Sequence, residues 1–320
     1  MQRAVFLDAA SMGDADLSML NMPAIALTCF DSTEPGQIIP RLQDAAIALV
    51  NKVQLTAHTL QQLPALKLIC ITATGTNNVD LSAAERLGIA VTNVRGYADT
   101  AVPQHVMALL LQLTNKVAEY HSAVLQGRWS QSAHFCLLDY PVTELAGKTL
   151  VIVGYGALGQ ATAKLATAFG MQVVVAEQPG ASYCREGRVE FMQALSQADV
   201  ISLHCPLTDT TAKLINQSTL AKMKPGALLI NTARGGLIDE DALLHALTKG
   251  KLAGAALDVL TQEPPQADNA LILSALPNLI ITPHMAWASA EARQRMVLQL
   301  RDILHSFVQG EIKNQVWSAD

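Results

Sequence analysis

Residues 149–159 read Thr149-Leu150-Val151-Ile152-Val153-Gly154-Tyr155-Gly156-Ala157-Leu158-Gly159. A β-branched apolar run feeds three glycines in GxGxxG spacing, and a helical stretch, Gly159–Phe169, follows. A second strand candidate, Gln172–Ala176, then ends at Glu177. The spacing alone is weak; its strand–turn–helix–strand setting is what specifies a dinucleotide site. Gly154 permits the tight turn, Gly156 lets backbone approach a pyrophosphate, and Gly159 lets helix and strand pack closely. The pyrophosphate is expected on the amides of Gly154, Gly156, Ala157, Leu158 and Gly159, where the helix dipole favours negative charge. Glu177 is expected to accept hydrogen bonds from the adenosine ribose and to repel a 2′-phosphate. Gln178-Pro179 supplies no cation, and Arg185 is the one that could reach round. The expected cofactor is therefore NAD rather than NADP.

Working outward, ten further short apolar runs have strand character. They are Ala4–Leu7, Ala24–Thr28, Ile47–Val50, Leu68–Thr72 and Ala90–Asn93 before the fingerprint, and Gln172–Ala176, Val200–His204, Leu228–Asn231, Gly254–Asp258 and Leu279–Thr282 after it. Helical stretches such as Val102–Leu113 and Glu240–Thr248 lie between them, so the pattern is βαβ and the sheets parallel. Eleven strands exceed one such sheet, which predicts an α/β chain of two domains. A last amphipathic helix, Ala290–Phe307, places Met296, Leu300, Ile303, Leu304 and Phe307 on one face, with Gly310 as its stop.

Three loops follow strands on the carboxyl side, where open α/β sheets bind ligands. They carry Ala233-Arg234-Gly235, then Asp258 through Glu263-Pro264-Pro265, then Thr282-Pro283-His284. Reducing a carbonyl by hydride leaves an alkoxide that needs a proton, and histidine titrates near neutrality. A carboxylate such as Glu263 can hold the imidazole in one tautomer. A guanidinium such as Arg234 can grip a substrate carboxylate by two hydrogen bonds and polarise the carbonyl. Each residue has a bland alternative: Arg234 in a surface ion pair, Glu263 as a turn acid, His284 at a helix entry.

These segments, taken in order with His204-Cys205-Pro206-Leu207-Thr208, Met223-Lys224-Pro225-Gly226 and Ala256-Leu257-Asp258-Val259, resemble the D-isomer-specific 2-hydroxyacid dehydrogenases over nearly the whole chain. Three stretches look like the glycerate dehydrogenase (hydroxypyruvate reductase) branch: 135–141, 102–106 and His284-Met285-Ala286-Trp287-Ala288-Ser289. The resemblance implies a discontinuous, flavodoxin-like substrate domain (1–98 and 289–320) and a Rossmann NAD-binding domain (99–288), with the active site in the cleft between them. It implies His284 as acid/base, Glu263 as its partner and Arg234 as the substrate clamp. It places the Thr74-Gly75-Thr76 backbone on the substrate carboxylate, Asp258 near the nicotinamide carboxamide, and Pro206, Thr211 and Ala233 along the cofactor. It also implies a homodimer, for whose interface the Val102–Leu113 helix and the 121–141 segment are candidates. Two departures stand out: Ala157 where many relatives have arginine, and Gln104 where an acid is usual.

The expected reaction is NADH-dependent reduction of hydroxypyruvate to D-glycerate, with glyoxylate to glycolate as a further possibility. The rivals are a D-lactate or phosphoglycerate type of dehydrogenase and a non-catalytic NAD-sensing binder like the corepressors of this fold. The phosphoglycerate type is disfavoured because the chain runs only to residue 320 after its last helix and shows no basic cluster beyond Lys52 in its first 98 residues.

Composition narrows the field further. Of 320 residues 50% are hydrophobic and 15% charged, with a formal net charge of −5. Such a chain can bury a large core and lacks the basic surface of a nucleic-acid or membrane binder. No apolar run approaches the roughly 18 residues of a membrane span, and no signal peptide is apparent. Five cysteines without a CxxC pair suggest reduced, mostly buried thiols in the cytoplasm. His105, His121, His134 and His204 form no HxxxH or HExxH pattern, so no metal is expected. Trp129 and Trp287 are expected to be packing residues, with Trp287 a candidate wall of the substrate pocket.

Overall fold

The computed structural model describes residues 1–317. The chain divides into two compact units: Met1–Ala98 with the segment from Ala288 onward, and Asp99–Trp287.

The first unit is built on β1 (Gln2–Phe6), β2 (Ile25–Cys29), β3 (Ile47–Val50), β4 (Leu68–Ile71) and β5 (Ala90–Asn93). All pair in parallel, in the order β2-β1-β3-β4-β5. That is the flavodoxin-like doubly wound arrangement. The centre of the sheet is covered on both faces, so β3 reads Ile-Ala-Leu-Val without alternation and all four residues are fully buried. The helix Ala290–Val308 packs on this unit through Met296, Leu300, Ile303 and Leu304, and Gly310 at φ +84° ends it.

The second unit holds β6 (Thr149–Val153), β7 (Gln172–Ala176), β8 (Val200–Leu203), β9 (Ala227–Asn231), β10 (Leu252–Leu257) and β11 (Leu279–Ile281). These too are all parallel, ordered β11-β10-β9-β8-β6-β7. The chain reverses direction between β6 and β8, so the switch point, where such sheets bind nucleotides, lies at the fingerprint strand. The expected two-sheet α/β architecture is thus borne out, strand by strand.

Two packing expectations are corrected, and one helix is largely covered within its own unit. That helix is Ala101–Asn115. Nine of its residues are buried, and it packs on the helix Ala157–Ala168 and on β10 inside its own unit. Trp129 is not in a core: it is 51% exposed, its ring N–H donating to Phe135 O at 2.9 Å. The thiols are not mostly buried either. Cys70 is, but Cys29 ends the edge strand β2 and Cys184 lies on the 178–188 loop, both exposed.

Candidate active site

The fingerprint glycines have distinct reasons to be glycine. Gly154 sits at φ +99°, which a β-carbon disfavours, and a Cβ there would lie 2.5 Å from Cys205 N and 2.6 Å from His204 C. A Cβ on Gly159 would fall 2.2 Å from Gly154 O, so helix and strand touch. A Cβ on Gly156 would meet nothing within 4 Å, which leaves room for a ligand at that point. The helix starts at Ala157, two residues earlier than the sequence suggests, with Gly156 as its N-cap. No side chain caps it and no acid lies in its first turn, so its leading amides remain available to an anion. These features fit a dinucleotide pyrophosphate. His204, beside Gly154, pairs with Ser202 Oγ at 2.8 Å, and burial lowers its imidazole to about 4, so it is neutral at pH 7.

Glu177, at the end of β7, is 4% exposed. The Arg185 guanidinium beside it holds its carboxyl well below the usual carboxylate range. The open ribose acceptor read from the sequence is therefore a covered one. Pro206 and Thr211 are knit into one turn after β8: the Thr211 hydroxyl donates to Pro206 O (2.7 Å) and accepts from the Thr208 amide (2.7 Å).

Arg234, Glu263 and His284 follow the adjacent strands β9, β10 and β11 and so share one edge of the sheet. Buried Asn231 shapes the first loop by accepting from the Ala233 amide (3.0 Å) and donating to Arg234 O (2.8 Å). Sequence reasoning missed Gly235. A Cβ there would stand 1.9 Å from Leu260 C, so only glycine lets the Arg234 loop lie against the Glu263 loop. Glu263 Oε1 accepts from the Leu260 amide (2.9 Å), and Oε2 meets His284 Nδ1 at 2.5 Å. That contact puts the ring hydrogen on Nδ1 and leaves Nε2 as the nitrogen for proton traffic.

His284 stands at φ +53°, an uncommon left-handed conformation for a non-glycine residue. Asp258 enforces it. Its backbone oxygen accepts from the His284 amide (2.8 Å), Oδ1 from the Thr282 hydroxyl (2.6 Å) and the Met285 amide (2.9 Å), and Oδ2 from the Ala286 amide (2.8 Å). Asp258 is 1% exposed. Its carboxylate braces the histidine turn from within. Behind it, His105 Nε2 lies 3.1 Å from Thr282 Oγ1 and 3.6 Å from Asp258 Oδ1. Because the Thr282 hydroxyl donates to Asp258, its oxygen accepts from His105. Gln104, one residue earlier, is exposed.

In the first unit, Thr74, Gly75 and Thr76 follow β4. Their loop is pinned by Asn93 Nδ2 on Thr74 O (2.7 Å) and by Thr74 Oγ1 on Val94 O (3.1 Å). Among the described residues no hydrogen-bond acceptor takes the three amides of Thr74–Thr76. Nor is there, among those residues, a cluster of three or more metal-ligating side chains, or a helix long and apolar enough to cross a membrane.

Residues 107–286 match the D-isomer specific 2-hydroxyacid dehydrogenase, NAD binding domain. The chain belongs to this family and is an NAD-dependent D-2-hydroxyacid dehydrogenase. It is 47% identical to a glycerate dehydrogenase of Methylorubrum extorquens, covering 98% of this chain and 99% of that one. It is 52% identical to a putative 2-hydroxyacid dehydrogenase of Haemophilus influenzae, covering 88% and 90%. Its structure superposes on a D-lactate dehydrogenase of Aquifex aeolicus complexed with NAD and lactic acid. The TM-score is 0.83 at 28% identity, with 99% of this chain and 100% of that one covered.

Proposed function

We propose that the protein reduces hydroxypyruvate to D-glycerate, with glyoxylate as a second, smaller substrate. The near-full-length likeness to a glycerate dehydrogenase supports the substrate class, and the Glu263–His284 pair carries the chemistry. A bound reduced nicotinamide supplies the hydride. His284 gives its Nε2 proton to the oxygen that becomes the hydroxyl, and Glu263 offsets the charge of the protonated ring while fixing its tautomer. Arg234 pairs with the substrate carboxylate and draws electron density from the carbonyl.

Initial rates with hydroxypyruvate, glyoxylate, pyruvate and 3-phosphohydroxypyruvate test this reading. The expected result is the highest kcat/KM on hydroxypyruvate, at least about tenfold above pyruvate, because a site that pairs with the substrate hydroxyl rejects the analogue lacking it. Faster turnover of pyruvate or of the phosphorylated acid would overturn it.

The working form is a homodimer in the cytoplasm, where five free thiols, two of them exposed, persist. The helix Val117–Leu125 and the segment after it leave Leu125 (75%), Phe135 (91%) and Leu138 (85%) exposed. Surface of this kind marks a protein contact, and a second copy of the chain is the occupant proposed. Light scattering should give twice the 34.1 kDa chain mass. The double variant Phe135→Asp/Leu138→Asp should run as a monomer, and a variant that stays dimeric would place the interface elsewhere.

A further inference from the structure

We propose that His105 is a positioning residue for the proton-transfer step: its ring holds the Thr282 hydroxyl, and through it the Asp258 carboxylate, in the arrangement that fixes the His284 turn. Resting on the reading of His284 as proton donor, the role holds for whichever keto acid is reduced.

His105 lies on the buried stripe of the helix Ala101–Asn115. It stands three residues after Val102 and four before Leu109, both buried, while Gln104 and Ala108 beside the stripe are exposed. Its own side chain is 16% exposed. An imidazole set among apolar neighbours needs a hydrogen-bond partner. The partner here is Thr282 Oγ1, 3.1 Å from Nε2, with Asp258 Oδ1 at 3.6 Å. These are two of the groups that build the His284 turn. The helix is also seated closely on β10, the strand that leads to Asp258. Leu113, about two turns further along the same stripe, puts Cδ2 3.1 Å from where a Cβ on Gly254 of that strand would lie. His105 therefore reaches Thr282 from a helix held firmly against the sheet.

The polarity of the chain of bonds follows from its far end. Asp258 Oδ1 accepts from the Met285 amide (2.9 Å) and Oδ2 from the Ala286 amide (2.8 Å), so both oxygens act as acceptors. The hydrogen in the 2.6 Å contact between Thr282 Oγ1 and Asp258 Oδ1 is then the threonine's. A hydroxyl has one hydrogen, so Thr282 can only accept from His105, whose Nε2 must carry a hydrogen. Donation runs from His105 to Thr282 to Asp258, and each bond polarises the next. A hydroxyl held on its oxygen side as well cannot swing to another acceptor. Without the ring, the Thr282 hydrogen is free to turn away, and Asp258 Oδ1 is left one donor short. The carboxylate then enforces the left-handed backbone of His284, φ +53°, less firmly. His105 thus acts on the place of the His284 imidazole through two intervening side chains.

The test is a single-turnover measurement of hydride transfer from bound NADH, with NADH affinity followed by nicotinamide fluorescence. His105→Leu is expected to slow transfer about three- to tenfold, the weight of one hydrogen bond, with NADH affinity within about twofold of the unaltered protein. His105→Gln, whose amide nitrogen can reach Thr282, should recover most of the rate. His105→Asn, one carbon shorter, should not, and this pair of polar variants carries the test even if the leucine variant folds poorly. In a Thr282→Val background His105→Leu should cost nothing further, because the bond acts through the hydroxyl that valine lacks. An unchanged rate in His105→Leu overturns the inference. So do equal losses in the Gln and Asn variants, additive losses in the double variant, or a loss of NADH affinity in place of rate. If His284→Ala is slow and His105→Leu is not, only the role of His105 falls. If His284→Ala keeps its rate, the proton-donor assignment falls with it.

Discussion

Replacing His284 by alanine is expected to lower kcat about 10²–10⁴-fold, the span that a positioned acid–base group contributes, with NADH binding nearly unchanged. The basis is geometric. His284 spends Nδ1 on Glu263 at 2.5 Å, which leaves Nε2 as the nitrogen open to proton exchange. The ring is neither buried nor free, at 28% side-chain exposure, as a group that meets both partner and substrate must be. Glu263→Gln should cost less than His284→Ala. The amide oxygen can still accept from Nδ1–H, but it no longer offsets a charged ring. Pre-steady-state and steady-state rates of NADH oxidation, with nicotinamide fluorescence for binding, separate the step affected. Near-unaltered turnover by His284→Ala would end the assignment of this histidine as the proton donor.

What the sequence made legible follows from the range of the forces involved. All eleven strands could be read because each is a short apolar run bounded by turn residues, and all but β10 carry β-branched residues. The three fingerprint glycines could be read because each answers a local demand of a strand–turn–helix, although the helix begins at Ala157 rather than at Gly159. Arg234, Glu263 and His284 could be read because parallel topology puts three successive loops on one edge. What escaped depends on contacts between distant residues. His105 and Thr282 are 177 positions apart and meet at 3.1 Å. Gly235 looks like any loop glycine until Leu260 is found where its side chain would be. Glu177 reads as an open acid because the arginine that covers it comes eight residues later, after an irregular loop. Trp129 is exposed rather than packed for a similar reason. Apolar character in a sequence does not say whether the covering surface belongs to the same unit.

The second large effect is expected at Asp258, which on this structure acts through His284. Asp258→Asn keeps the volume but exchanges one acceptor for a donor. With its oxygen toward Thr282 and Met285, its amide nitrogen opposes the Ala286 N–H; the other orientation opposes two donors instead. An unmet buried group costs about 1–3 kcal/mol. A left-handed non-glycine residue costs of order 1–3 kcal/mol as well and persists only when its surroundings enforce it. The two terms are comparable, so the turn at His284 should relax toward ordinary backbone and carry the imidazole away from its place. A displacement near 1 Å is worth about 10²-fold in rate. The expected outcome for Asp258→Asn is therefore a fall in kcat of about that size with a lower urea midpoint, NADH affinity being nearly retained. Thr282→Ser, which keeps the hydroxyl, should leave both close to the unaltered protein. A direct contact between Asp258 and the nicotinamide predicts the opposite split: weakened NADH binding with an unmoved midpoint. That pattern would show the buried carboxylate to be a cofactor ligand rather than the brace of the catalytic turn.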